Sequence, residues 1–237
     1  MDECRHALVT GASSGIGLAI SRRLLEQGYA VTGISRRGQV DALQHDNFHA
    51  QIIDLDDLGE LEKRLGSILK QTRFDCFIHA AGQGNFGSIE QFSVAQIEAA
   101  IRVNLLCAMV ICRSLLPHMR RHRQGRIVVI GSESALRAGR KGALYCAAKF
   151  GLRGFCLALR EDCASDGIQV SLVNPGMVRS PFFDGQTFAP GAAPENAIST
   201  DDIAELVFQV LQSSPDIVID EINLSPRVKS IEFKPKS

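Results

Sequence analysis

The sequence predicts an α/β fold: a doubly wound, mostly parallel seven-stranded sheet with helices on both faces. Three observations predict it. Short, continuous apolar runs alternate with helix-like segments along the whole chain. Those runs lack the in–out alternation of a half-exposed strand, so they suit a sheet covered on both sides. The chemically distinctive residues cluster just after the apolar runs, and ligands of open parallel sheets bind beyond the carboxyl ends of the strands. The crossovers are expected to be right-handed. At 237 residues the chain is predicted to be one domain over 1–237, with no internal repeat, low-complexity tract or linker.

Arg5–Thr10 reads as a buried first strand and Ile16–Gln27 as a helix stopped by Gly28. Tyr29–Ser35 is the second strand, and a short helix over Val40–His45 leads to the third, Phe48–Leu55. Asp56–Gln71 is amphipathic and helical; Phe74–Ala81 is the fourth strand, followed by a glycine-rich loop, Gly82–Gly87. Ser93 suits the N-cap of a long helix running to about Arg121. Pro117 is expected to bend or end its last turns. Arg126–Ser132 is strand five, Leu144–Asp166 a helix ending at Gly167, and Ile168–Asn174 strand six. Segment 176–199 has no clear period and reads as a lid over the substrate. Thr200–Ser213 is a helix and Ile217–Leu224 the last strand, while the polar tail Pro226–Ser237 is expected to be peripheral.

Lys plus Arg number 26, as do Asp plus Glu, for a formal net charge of 0. That balance excludes bulk attraction to nucleic acid or to an anionic membrane. Arg120, Arg121, His122, Arg123 and Arg126 read as a charged helix end, where cations complement the dipole. No apolar run reaches the roughly 18 residues of a membrane span. The acidic start, Met-Asp-Glu-Cys-Arg-His, does not read as a signal peptide. Seven cysteines, at 4, 76, 107, 112, 146, 156 and 163, are scattered without a CxxC pair. They read as reduced, buried thiols of a cytoplasmic protein, and no metal site is predicted. Cys146 follows Tyr145, where packing outweighs reactivity as its expected role.

Thr10-Gly11-Ala12-Ser13-Ser14-Gly15-Ile16-Gly17 joins the first strand to the first helix. Gly11 and Gly15 allow a tight turn, and Gly17 lets the helix lie close to the sheet. The N–H groups at the helix start suit a pyrophosphate. The spacing is GxxxGxG rather than GxGxxG. Strand two ends at Ser35, followed by Arg36 and Arg37 in place of the acid that would hold a ribose 2′-hydroxyl. Two guanidiniums suit a 2′-phosphate, so NADP(H) is predicted in preference to NAD(H). Asp54 with Leu55 ends strand three, placed either to accept from an adenine amino group or to cap the next helix. His79-Ala80-Ala81-Gly82 ends strand four, where small residues let a cofactor lie against the backbone. Asn104 is a poor helix former inside a helix, and is expected to open a backbone carbonyl or distort the helix. Pro175 and Gly176, after Asn174, close strand six at the same rim.

Tyr145 and Lys149 are spaced i, i+4 and so share one helix face. Ser132 closes strand five upstream of them. The pair is conspicuous in a chain with only 2 tyrosines. A phenol titrates at about 10 and is a poor acid or base at neutral pH. A nearby cation lowers that value and equips the phenol to exchange a proton with a carbonyl oxygen. Taken alone, the pair fits a solvated helix face equally well.

In their order along the chain these motifs resemble the short-chain dehydrogenase/reductase family in its NAD(P)-dependent form. The likeness runs from Thr10 to about Pro226. The resemblance implies a Rossmann-like fold and hydride transfer between NADP(H) and a carbonyl or alcohol. It implies that Tyr145 is the general acid or base and that Ser132 orients the substrate oxygen. Lys149 would hold the nicotinamide ribose and lower the tyrosine pKa, and Asn104 would anchor a water that relays protons to Lys149. Val178 and Ser180 match positions that contact the nicotinamide carboxamide, with serine where the family usually has threonine. A homodimer or homotetramer built on helices 93–121 and 144–166 is implied as well.

Three departures bear on these expectations. His79 replaces the usual asparagine before Ala-Ala-Gly, which bears on the stability of the central strand. Ile219–Pro226 lacks the Val-Asp-Gly-Gly ending of acyl-carrier-protein reductases. Positions 13 and 14 are both serine rather than basic, so the NADP(H) reading rests on Arg36 and Arg37. Phe182, Phe183 and Phe188 in the lid suggest a partly apolar substrate. Arg137, Arg140, Lys141 and Arg179 are candidates to meet an anionic group at the rim, or are solvated. The rival readings are a non-catalytic nucleotide sensor or scaffold, and an epimerase or dehydratase using the same cleft.

Overall fold

The computed structural model describes residues 5–38 and 41–234. Its strands are β1 (His6–Thr10), β2 (Ala30–Ser35), β3 (Phe48–Ile52), β4 (Cys76–His79), β5 (Gly125–Ile130), β6 (Ile168–Pro175), β7 (Phe188–Pro190), β8 (Glu221–Leu224) and β9 (Ile231–Phe233). Its helices are α1 (Gly15–Glu26), α2 (Leu58–Leu69), α3 (Val94–Ile101), α4 (Cys107–His122), α5 (Ala143–Cys163) and α6 (Thr200–Leu211). Cys4 lies outside the described residues, as does Val40 at the start of the helix expected over 40–45. The rest of that expected helix holds a single 3-10 turn, Asp41–Leu43.

Seven strands form one sheet in the order β3-β2-β1-β4-β5-β6-β8, and every neighbouring pair is parallel. The order reverses between β1 and β4, which opens a crevice beyond their carboxyl ends. All four residues of β4 and all eight of β6 are buried, as a sheet covered twice requires. Successive residues of a strand point to opposite faces, and the two faces bury separate cores. On one, α2, α4 and α5 set Leu61, Leu65, Ile111 and Leu152 against Leu8 and Phe77. On the other, α1 and α6 set Ile20, Leu24, Ile203 and Val207 against Val9 and Ile78.

The helix ends have local causes. The Asp57 carboxylate accepts from the Glu60 backbone N–H at 2.9 Å and caps α2, so the alternative role of Asp54 as that cap is not borne out. Ser93 and Gln96 form a reciprocal capping box at the start of α3. Beyond α4, Arg123 takes a left-handed conformation, and Arg120 in the last turn pairs with Asp166 at 2.8 Å. Arg120, Arg121, His122 and Arg123 thus form a charged helix end, as read from the sequence, whereas Arg126 lies in β5 and donates to Val210 and Ser213.

Other expectations are corrected. The helix predicted over 93–121 is α3 and α4 separated by a π-turn, Arg102–Leu106, centred on Asn104. α4 runs to His122, close to the predicted end at about Arg121, and Pro117 does not end it. The proline forfeits one N–H bond, yet Leu115, Leu116 and Met119 are buried around it and hold the last turns. Val94–His122 is long and apolar enough to cross a bilayer, which a search for uninterrupted apolar runs misses because scattered polar residues break the run. In the fold, 44% of its most apolar window is buried against the rest of the protein. The last sheet strand is shorter than 217–224, since only Glu221–Leu224 pair with β6. The tail is more than peripheral: β9 pairs antiparallel with β7, with Phe233 opposite Phe188, inside the segment read as a lid. Three-residue strands fall at the lower limit of strand length and leave no readable period.

α1 lies so close to β1 that a Cβ on Gly17 would overlap the Gly11 carbonyl and sit 3.0 Å from the Thr10 carbonyl oxygen. Gly17→Ala is expected to destabilise by about 1–3 kcal/mol, the range for overpacking, seen as a lower urea midpoint at unchanged m. Gly66 on α2 has open space where its Cβ would stand. Gly66→Ala is expected to stabilise by about 0.5–1 kcal/mol through helix propensity. Shifts of the same sign at both positions would show that close approach of α1 is not what constrains Gly17.

Candidate active site

Thr10 ends β1 at the reversal of strand order. Its hydroxyl oxygen accepts from the backbone N–H groups of Ala80 (3.2 Å) and Ala81 (3.3 Å), just past β4. The same oxygen lies 3.0 Å from His79 Nδ1. With its acceptor capacity taken, the hydroxyl gives its proton to Nδ1, and the imidazole carries its own on Nε2. Burial, and then the Lys149 ammonium, push His79 down to about 3, so the ring is neutral. His79 therefore serves as a strand-end acceptor, although its buried Nε2 has no partner among the described residues.

The glycine turn lies against this strand end. Gly11 has φ +70, and a Cβ there would stand 3.0 Å from Ala81 Cα. Ser14 precedes α1 without a side-chain cap, and the first turn of α1 carries no acid. Both leave the positive helix end to favour an anion. Arg37 Nε donates to Ser13 Oγ at 3.3 Å, which draws one guanidinium over the turn; Arg36 beside it is exposed and Ser35 is buried at the end of β2. A Cβ on Gly15 would lie 3.5 Å from Ser180 Cβ, so the start of the lid returns to the turn next to Ile16. Val178 is buried and bridges Ile198. Pro175 pairs with Leu224, and the Gly176 N–H donates to the Leu224 carbonyl at 2.8 Å. Past β3, exposed Asp54 accepts from the Asp56 N–H at 3.1 Å, and Leu55 is buried.

Asn104 is fully buried in the π-turn. Its Oδ1 accepts from the Gln83 N–H at 2.9 Å, and its Nδ2 donates to Asn85 Oδ1 at 3.1 Å and to the Ala100 carbonyl at 3.0 Å. The helix distortion expected at this residue is present. Gly82 fits between two of the site groups: a Cβ there would stand 3.2 Å from Asn104 Oδ1 and 3.6 Å from Lys149 Nζ. Lys149 Nζ donates to the Ile130 carbonyl at 3.1 Å and lies 5.8 Å from the centre of the Tyr145 ring. The Ser132 hydroxyl lies near enough to the Tyr145 phenol to favour its ionised form, and Ser132 Oγ accepts from the Ser134 N–H at 3.1 Å. Asn104, Lys149, Tyr145 and Ser132 thus lie close together beyond β4 and β5.

The direction of one pKa departs from the expectation. Burial pushes Tyr145 up to about 12, and the neighbouring Ser132 hydroxyl offsets this only in part. Burial likewise lowers Lys149, to about 8. Desolvation disfavours the charged form of each group, and for both it is the largest cause. The cause is visible above the site. Phe86 stacks obliquely on Tyr145 with centroids 4.9 Å apart, Phe182 is 6.0 Å from the tyrosine ring, and Phe188 is 5.1 Å from Phe86.

The sequence alone does not single out Phe86; its place in a glycine-rich loop after β4 is the available signal. Nor does it show the support of Ser132. The Ser132 N–H donates to Asn174 Oδ1 at 3.2 Å. The Asn174 amide donates to Glu221, which takes a two-pronged bond from Arg153 at 2.8 and 2.9 Å. Arg153 holds the Glu221 carboxyl below its ordinary range. Arg179 does not face an anion: its Nη2 donates to the carbonyls of Gly191 (3.0 Å) and Ala193 (2.9 Å) and braces the lid. Arg137, Arg140 and Lys141 are exposed. Cys146 is buried, as a packing residue is, and burial pushes Cys76, Cys107 and Cys156 up to about 12. No cluster of metal-ligating side chains occurs among the described residues.

A family model described as short chain dehydrogenase matches residues 5–188. An oxidoreductase of Staphylococcus epidermidis is 26% identical over 227 residues, covering 93% of this chain and 96% of the relative. The oxidoreductase YbbO of Escherichia coli is 33% identical over 184 residues, 76% of this chain and 68% of that protein. Among solved structures, an alcohol dehydrogenase from the archaeon Thermococcus sibiricus, complexed with 5-hydroxy-NADP, superposes with a TM-score of 0.82 at 26% identity. That superposition covers 94% of this chain and 96% of the archaeal one. Family model, full-length relatives and parallel-sheet topology agree: the chain is an oxidoreductase and belongs to the short-chain dehydrogenase family.

Proposed function

We propose that the protein reduces a carbonyl compound, or oxidises the matching alcohol, with NADP(H), and that Tyr145 is its general acid or base. The observation that carries this reading is the convergence of Ser132 from the end of β5 with Tyr145 and Lys149 from α5, backed by Asn104 in the π-turn. A sensor or scaffold has no need of a phenol, a hydroxyl and a buried amine gathered at one point.

Bound NADP(H) would supply or accept the hydride. The turn Gly11–Gly17 would hold the pyrophosphate, Arg36 and Arg37 the 2′-phosphate, and Asp54 with Leu55 the adenine. Ala81, Gly82, Pro175, Gly176, Val178 and Ser180 would line the nicotinamide end, and Lys149 would hold its ribose. The uncapped, acid-free start of α1 and the bond from Arg37 to Ser13 support this assignment, as does the NADP derivative carried by the archaeal relative. In reduction, Ser132 donates to the substrate oxygen and stabilises its developing charge. Tyr145 delivers the proton, and Lys149 resupplies it from a water held by Asn104. The exposed apolar Phe150 and Leu157 on α5 support an oligomer formed through that helix.

Tyr145→Phe is expected to retain NADPH binding by calorimetry and to lose about 10²–10⁴-fold in turnover on ketones and aldehydes, the usual worth of a positioned acid. Undiminished turnover would remove Tyr145 from the mechanism. NADPH absorbance should change net during turnover, whereas an epimerase or dehydratase would leave it constant. For cofactor choice, wild type should bind NADPH more tightly than NADH. The double change Arg36→Ala, Arg37→Ala should weaken NADPH alone, by about 10- to 100-fold for lost charge-assisted bonds; a wild type preferring NADH contradicts the assignment.

The pH dependence has a definite sign. The lowered pKa of Lys149 means that its positive charge is complete below about 8 and is lost as pH rises through that value. The kcat/KM of reduction should therefore fall above about pH 8, by about tenfold per pH unit. A profile flat to about pH 10 would exclude Lys149 as the charged member of the relay.

A further inference from the structure

We infer that the substrates are carbonyl compounds bearing an aromatic ring one or two bonds from the carbonyl carbon, and that Phe86 selects them. The inference rests on Tyr145 being the proton donor. Tyr145 is only 6% exposed, because Phe86 and Phe182 lie against its ring, with Phe188 and Phe183 packed behind them. A carbonyl that approaches the phenol comes alongside Phe86 and Phe182. The group next to that carbonyl then packs against these rings. Ring pairs favour tilted and edge-to-face arrangements through their quadrupoles, beyond what buried area alone gives. The observed pairs are of this kind, tilted at 47° between Phe86 and Tyr145 and edge-on at 77° between Phe86 and Phe188. A flat π-system makes such contacts, and a saturated group of equal size gives only the area.

The loop and lid that carry these rings are joined in a way that allows parting. Phe86 stands between Gly84 and Gly87, and the lid reaches the loop through one bond, Gln186 Nε2 to the Gly84 carbonyl at 3.0 Å. A Cβ at Gly84 would stand 2.9 Å from Gln186 Nε2 and 3.1 Å from Phe182, so glycine is what lets the lid settle on the loop. Two cations, one in the lid and one in the tail, are committed to lid backbone. Arg179 holds the carbonyls of Gly191 and Ala193, and Lys234, beyond β9, holds those of Phe183 and Asp184. The lid therefore offers the substrate rings rather than a counter-charge.

The test compares phenylacetone with cyclohexylacetone, ketones of similar size and intrinsic reactivity, with NADPH and the full chain. Wild type should favour phenylacetone in kcat/KM by about 2- to 10-fold, the worth of one aromatic pair. Phe86→Leu should bring the ratio within about twofold of unity, and Phe86→Tyr, which keeps the ring, should preserve it. A wild type that turns over cyclohexylacetone as well or better overturns the inference, and so does a ratio unchanged in Phe86→Leu. Consumption of NADPH with aliphatic carbonyls alone would overturn the aromatic class while leaving the reductase reading intact. Failure to turn over any carbonyl would overturn both.

Discussion

One hydroxyl fixes the geometry on which the site is built. Thr10 stands at the end of β1, where the strand order reverses, and binds two backbone N–H groups beyond β4 and the imidazole of His79. Two parallel strands that diverge at their carboxyl ends have no ladder bonds left to set their spacing there, and this side chain supplies the link. Gly11 can then press against Ala81, and Gly82 can fit against Asn104 and Lys149. The cofactor turn and the proton-transferring groups are thereby referred to the same two strand ends.

Much of this is legible from residues alone, for physical reasons that also mark the limit. The seven sheet strands and the helices over them follow from apolar runs and helical spacing, because burial on both faces leaves that trace. Asn104 is visible as an anomaly, and the anomaly is the π-turn. Proximity of Tyr145 and Lys149 follows from i, i+4 spacing, but their titration does not. Spacing says what is near, whereas burial under Phe86 depends on a loop 59 positions away in the chain. The β7–β9 pair is illegible because three-residue strands carry no period and their partner is distant. Arg179 reads as a rim cation in the sequence; only its bonds to lid carbonyls reveal that it is structural.

The site joins a rigid half and a movable half. Ser132 is anchored through Asn174 and Glu221 to Arg153, so a bond at its backbone reaches across β6 to the sheet edge and back to α5. Reach of this kind restricts the serine without touching its hydroxyl, which stays available for chemistry. The rings of the loop and lid are held instead by contacts among themselves and by few polar bonds. Positioning of the reacting groups is thus separated from admission of the substrate.

The buried ammonium of Lys149 has a thermodynamic consequence. Its fall from the ordinary 10.5 to about 8 corresponds to about 3 kcal/mol, at about 1.36 per pH unit. The folded state bears that penalty in full below about pH 8, where folded and unfolded chains both carry the proton. Between about 8 and 10.5 only the unfolded chain keeps it, so the protein becomes more stable as pH rises through this window. The lysine that equips the site for proton transfer near neutrality therefore weakens the fold at that same pH, and the apolar cores on the two sheet faces must make good the difference.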